Sequence, residues 1–207
     1  MTLIERLKNP FVQQYILEIA FPLVGYFFFD WSIFIIAIYY LLDQFAIQII
    51  SSIRLYKIRQ FTSLNSKLGL FFGSIILFLI FFSLEIYVIY HTVIEATIAD
   101  ETTLNAEFVD FAKSELWLIA PMLIFVYAFK DRFTFYMPRR YLKYSFKKSV
   151  NVEFLKLISI FVLTISLMFL WQKLHVNEVL VLLIFVFSKI GYDFTIHKKM
   201  NEKSLND

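Results

Sequence analysis

Cysteine is missing from all 207 residues, so disulfides, thiolate-held metals and cysteine nucleophiles are excluded at the outset. Glycine is nearly as rare, with four in the chain, and no phosphate-binding glycine loop, dinucleotide fingerprint or GxSxG elbow can be found among them. Three histidines occur, none of them in an HExxH pair. The alternation of polar and apolar residues that marks a membrane barrel is also missing, because the apolar runs are continuous. What fills the chain is hydrophobic bulk: 59% of residues are apolar, 20% are aromatic, 26 are phenylalanine, and the mean hydropathy is +0.68. Soluble domains carry about 45–50% apolar residues, and a water-exposed fold of this size could not hide the excess. The expected class is an all-α integral membrane protein, one helical bundle over residues 1–207.

The run from Trp31 to Arg59 is the most informative stretch. Up to Ile53 it carries a single formal charge, Asp43, and then Arg54, Lys57 and Arg59 close it. A run that long and that apolar predicts a membrane-spanning helix. Tyr40, Asp43, Gln44, Gln48 and Ser51 recur at spacings of three and four, which places them along one stripe of that helix. A stripe bearing a carboxyl is expected to face protein or a water-filled cavity rather than lipid.

Hydropathy marks six spans, at about 11–29, 31–53, 68–94, 116–136, 152–173 and 177–197. Glu18 interrupts the first apolar region and no small-residue cleavage site follows it, which argues against a signal peptide. Pro22 predicts a kink in that span, and Asp30 with Trp31 a tight turn into the next. An even number of spans places both termini on one side. Arg6 and Lys8, the 54–67 linker, the 130–148 linker and the tail with Lys198, Lys199 and Lys203 then fall together, against Lys113 and Lys173 and the acidic 97–115 stretch opposite. Such lysine and arginine bias predicts an N-in/C-in topology, both termini cytoplasmic. The tryptophans, Trp31, Trp117 and Trp171, fall at the outer interface in this drawing. Abundant Phe, Ile, Lys, Asn and Tyr fit an AT-rich bacterial genome, and the expected location is a cell inner (cytoplasmic) membrane, multi-pass.

Ionisable residues inside the spans are Glu18, Asp43, Glu85, Lys189 and Asp193. At the helical rise, Asp43 and Lys189 both lie roughly 18 Å below the outer ends of their helices, so they share a level. Asp193 is one turn beyond Lys189 on the same face. An isolated charge at the centre of a spanning helix costs at least about 2.5–3.5 kcal/mol, which pairing, neutralisation or water must offset. The expectation is a buried polar cluster of Glu18, Tyr40, Asp43, Gln44, Lys189 and Asp193, with Lys189 bridging Asp43 and Asp193. It serves either as a structural lock between the second and sixth spans or as a working site for a proton, ion or polar headgroup.

At the outer end, His91 and Glu95 on the third span and His175 and Glu178 before the sixth are residues from which a metal site could be drawn. Solvated helix ends account for them more simply, and no metal is expected; no cofactor can be named. The stretch RRYLKYSFKKS interleaves Arg139, Arg140, Lys143, Lys147 and Lys148 with aromatic residues. Beside a span, that pattern predicts a lipid-interface segment drawn to anionic headgroups on the cytoplasmic side, and not nucleic acid.

The stretch FPLVGYFFFDWSIFIIAIYYLLDQ resembles the first two spans of a group of uncharacterised bacterial multi-spanning membrane proteins, domain of unknown function 6498. The positions that carry the likeness are Pro22, Leu23, Gly25, Trp31, Ser32, Phe34, Tyr39, Tyr40 and Asp43, and near the other end Lys189, Asp193 and His197 in KIGYDFTIH. The resemblance implies the same bundle and supplies no activity. From the residues, transport or binding of an ion, small solute or lipid at the Asp/Lys/Asp cluster ranks first. Six spans without a visible repeat would then call for a homo-oligomer. An intramembrane enzyme acting on a lipid, or a structural or accessory subunit of a membrane complex, are the alternatives.

Overall fold

The computed structural model describes residues 10–61, 68–97, 100–174, 177 and 179–191. Every regular element among them is helical: α1 Pro10–Phe28, α2 Ile33–Phe61, α3 Leu68–Thr97, α4 Glu101–Ser114, α5 Leu116–Asp131, α6 Phe146–Leu174 and α7 Val179–Gly191. Three of these stretches, Ile33–Phe61, Gly69–Glu95 and Phe146–Phe169, are long and apolar enough to cross a membrane, and α7 and the Glu18–Phe28 part of α1 are shorter apolar helices.

The architecture is organised around α2, the helix with the polar stripe. In its most apolar window 61% of residues are buried, against 17% in the corresponding windows of α3 and α6. Helices α1, α3, α5 and α6 all pack against it, and α3 and α6 pair with each other, with Phe81 meeting Phe161 edge-on at 4.9 Å. The outward faces of α3 and α6 are apolar too: Phe72, Ile76, Ile80, Leu155, Val162 and Phe169 are all exposed. A helix at a water-facing surface puts polar residues on that side. These do not.

A tight connection joins α1 to α2. The backbone N–H groups of Phe29 and Trp31 both donate to the carbonyl of Gly25, at 3.1 and 3.0 Å, and Asp30 takes a left-handed φ of 52°. Aspartate is among the few non-glycine residues that tolerate this region. The turn lays the Trp31 indole across Gly25, where a Cβ would stand 2.2 Å from Cε3 of the ring. Trp31 is consequently a core residue, packed among Phe21, Tyr39 and Phe111, and Trp171 is buried as well. Trp117 alone of the three is exposed. Trp31 and Trp171 thus bury the whole indole in the core, and Trp117 alone presents its ring at the outer surface of the bundle.

Three further differences concern the connections. The acidic 97–115 stretch contains α4, an amphipathic helix that buries Leu104 and Phe111 and exposes Glu101 and Asp110. Arg54, Lys57 and Arg59 are not in a linker but on the last turns of α2, which runs on to Phe61. At the other end of the basic segment, α6 begins at Phe146, so Lys147 and Lys148 are helical. Between α5 and α6 the chain makes a π-helical turn, Arg132–Tyr136, closed by Met137 N–H on the Arg132 carbonyl at 2.8 Å, and then a short 3₁₀ turn, Arg140–Leu142. The wide turn drops Phe135 into a small second core with Leu55, Ile58 and Phe146.

Candidate functional site

Four helices meet at Asp43. Its side chain is fully buried, and it forms an ion pair with Nζ of Lys189 through Oδ2. Helices α2 and α7 run side by side here, because Tyr40, one turn before Asp43, stacks on Phe185, one turn before Lys189, at 5.8 Å. The Lys189 ammonium also lies 5.3 Å from the centre of the Tyr40 ring, within range of a cation–π attraction. The lysine thus meets a carboxylate and an aromatic face, both from the same stripe of α2.

The second oxygen of Asp43 faces Tyr127 of α5. The phenol oxygen lies 2.6 Å from Asp43 Oδ1 and 3.1 Å from Glu18 Oε1 on α1. Both carboxyl groups are buried, with Glu18 4% exposed. A phenol has one proton to give. It can donate to one of the two carboxylates, and its contact with the other is a hydrogen bond only when that carboxyl carries a proton and donates to the phenol oxygen. The row Glu18–Tyr127–Asp43–Lys189 is therefore a chain of acid and base groups in which the number of bound protons sets which contacts hold.

Of the residues singled out from the sequence, the structure brings together Glu18, Tyr40, Asp43 and Lys189. Gln44 is buried beside them but turns toward α3, where it faces Glu85. Asp193 lies outside the described residues. Tyr127, the centre of the row, was not read as a site residue, since a tyrosine inside an apolar run looks like packing. A signal existed: Leu123, Tyr127 and Asp131 recur every four residues, and Asp131 is the lone acid in a basic stretch.

Asp131 belongs to a second polar group that sequence reasoning missed. Arg54 of α2 grips it bidentately, Nε on Oδ2 and Nη2 on Oδ1, and the guanidinium carbon stands 5.3 Å from the centre of the Phe135 ring. Glu153 of α6 faces Ser51 and Arg54 and accepts from Lys156 Nζ at 3.1 Å. Ser51 and Arg54 continue the three- and four-residue spacing of Tyr40, Asp43 and Gln44, so one stripe of α2 serves both groups. The ends of hydrophobic runs are where charged residues usually snorkel to water; here the wide turn after α5 places Phe135 under Arg54, and the pair is half enclosed.

The remaining candidates stay apart. His91 is exposed and lies against the Tyr87 ring at 4.3 Å, while Glu95 accepts from Nε2 of Gln172. His175 and Glu178 lie outside the described residues. No group of three or more His, Cys, Asp or Glu gathers among the described residues. Arg139, Arg140, Lys143, Lys147 and Lys148 are all exposed, around the 3₁₀ turn and the start of α6.

No curated protein and no solved structure matches the chain. The sequence likeness noted above rested on the two ends, and the family match extends it over nearly the whole length. The chain belongs to a family of unknown function, DUF6498, whose model matches residues 2–206.

Proposed function

We propose that the protein is a multi-pass membrane protein of the bacterial inner membrane that binds and passes a proton or small cation at Glu18, Tyr127, Asp43 and Lys189. In this reading the six apolar segments all cross the bilayer. Both termini are cytoplasmic, and the exposed basic residues 139–148 rest on anionic headgroups. The apolar outward faces of α3 and α6 support the membrane setting, since contiguous exposed apolar surface is a liability in water.

One observation carries the assignment: a single phenol bridges two buried carboxyls, one of them already held by an ammonium. In low-dielectric surroundings an unbalanced charge is costly, so the contacts within such a group depend on one another. Adding or removing one proton at the Glu18–Tyr127–Asp43 link remakes the contacts of three helices at once.

Reconstitution into liposomes with a trapped pH indicator tests the proposal. Imposed proton or cation gradients are expected to dissipate through the wild type and to persist in Asp43→Asn. Wild-type flux in that variant would remove the site, and tight vesicles with the wild type would leave a lipid-acting enzyme or an accessory subunit as the role to pursue.

A further inference from the structure

Glu85 lies on the inward face of α3, among Phe78, Ile89 and Val93, and is fully buried. Neither of its carboxyl oxygens has a hydrogen-bond partner. The polar groups that face it are the neutral side chains of Gln44 from α2 and Thr164 from α6, the two helices packed against α3, and neither completes a hydrogen bond to it. An ionised carboxylate there would have lost its water and gained no cation in return. A protonated carboxyl loses far less on the same burial. Nothing in the packing requires an acid at this position, since apolar side chains occupy the same face one turn above and two below. The carboxyl is a titratable group held without structural use.

We propose that Glu85 is a second proton-holding site, coupled to the α2 polar stripe through the Gln44 side chain. Gln44 is adjacent in sequence to Asp43 and buried, and its amide offers both a donor and an acceptor. Its carbonyl can accept from the Glu85 O–H, so that protonation of Glu85 is coupled to the packing of α2 beside Asp43, while the amide itself carries no proton. This inference rests on the reading that the Asp43 site takes up protons, and it adds a carrier on a third helix, outside the Glu18–Tyr127–Asp43–Lys189 row.

Infrared difference spectroscopy on the full chain in lipid vesicles tests it. At neutral pH the wild type minus Glu85→Gln spectrum is expected to show the C=O stretch of one protonated carboxylic acid. Glu85→Asp, which keeps the acid on a shorter stem, is expected to retain a shifted band. The wild-type band is expected to move in D₂O as O–H becomes O–D, and Gln44→Leu, which removes the acceptor, is expected to shift it to higher frequency. Absence of a protonated band in the wild type overturns the proposal, and a band unmoved by Gln44→Leu overturns the link to α2. Vesicles that hold a proton gradient would sink the function proposed for the Asp43 row while leaving the Glu85 band in place, so the two ideas fail separately.

Discussion

Lys189 and Asp43 form an ion pair across 146 residues of sequence, joining α7, the last described helix, to the most buried helix of the fold. The lysine side chain is 16% exposed and the aspartate 1%, so the two partners are not equivalent. Removing one member of a buried pair costs about 3–5 kcal/mol, much of it the penalty on the charge left behind.

Lys189→Met therefore destabilises more than Asp43→Asn. The first strands a carboxylate with no route to water, at a cost of about 3 kcal/mol, the low end because the lysine is partly exposed. The second leaves an ammonium that can turn outward and an amide that still accepts from Tyr127. Thermal melts in detergent check the order, and the double variant should recover part of the Lys189→Met loss. Equal tolerance of the two single changes would contradict the pairing.

Tyr127→Phe removes the hydroxyl that stands between Glu18 and Asp43. The carboxyl that accepts from it then loses its donor in a buried place, for a loss of about 1–3 kcal/mol in denaturant unfolding. Flux should fall in the same variant. A stable Tyr127→Phe protein with unchanged flux would show that the phenol is only filler.

Arg54→Lys keeps the charge and loses the fork. Because Asp131 is gripped through two nitrogens, the conservative change should still cost about 1–2 kcal/mol. Arg54→Met should cost more, since it leaves Asp131 buried without its cation. Comparison of both variants by melting in detergent separates geometry from charge.

Gly25→Ala forces the Trp31 ring aside. The added Cβ would stand 2.2 Å from Cε3, and the ring is walled in by Phe21, Tyr39 and Phe111. Overpacking of this kind costs about 1–3 kcal/mol. With Trp31→Leu in the background the same glycine change should cost much less, so a double-mutant cycle checks it.

The absence of cysteine makes topology directly measurable. In the proposed arrangement, Lys148→Cys is shielded from a membrane-impermeant maleimide in intact cells and Glu107→Cys is labelled. Labelling of both from the same side would break the N-in/C-in drawing.

The helices were legible in the sequence because their signal is continuous hydrophobicity, which places α1, α2, α3, α5, α6 and α7 within a few residues of their observed cores. Helix α4 was not, since its two buried residues, Leu104 and Phe111, are outnumbered by acids typical of a loop. Asp43 and Lys189 stood out because charge inside an apolar run is costly wherever it lies. Tyr127 did not, since a phenol in such a run costs little and its role depends on which side chains face it. Arg54 and Asp131 were obscured by position: at the end of a run the sequence gives no means of telling an enclosed charge from a solvated one. Gly25 could be seen to be small, yet only the turn at Asp30 reveals what occupies the space it leaves.

The central place of α2 has a consequence for how the protein is made. Its polar stripe leaves the ribosome early, whereas Tyr127, Asp131 and finally Lys189 are translated 77 to 146 residues behind their partners on that helix. On the proposed membrane reading, the growing chain must therefore shelter an unmatched arginine until Asp131 emerges and an unmatched aspartate until Lys189 does. Nascent chains cut short before α7 should linger with the insertion machinery and fall to quality-control proteases.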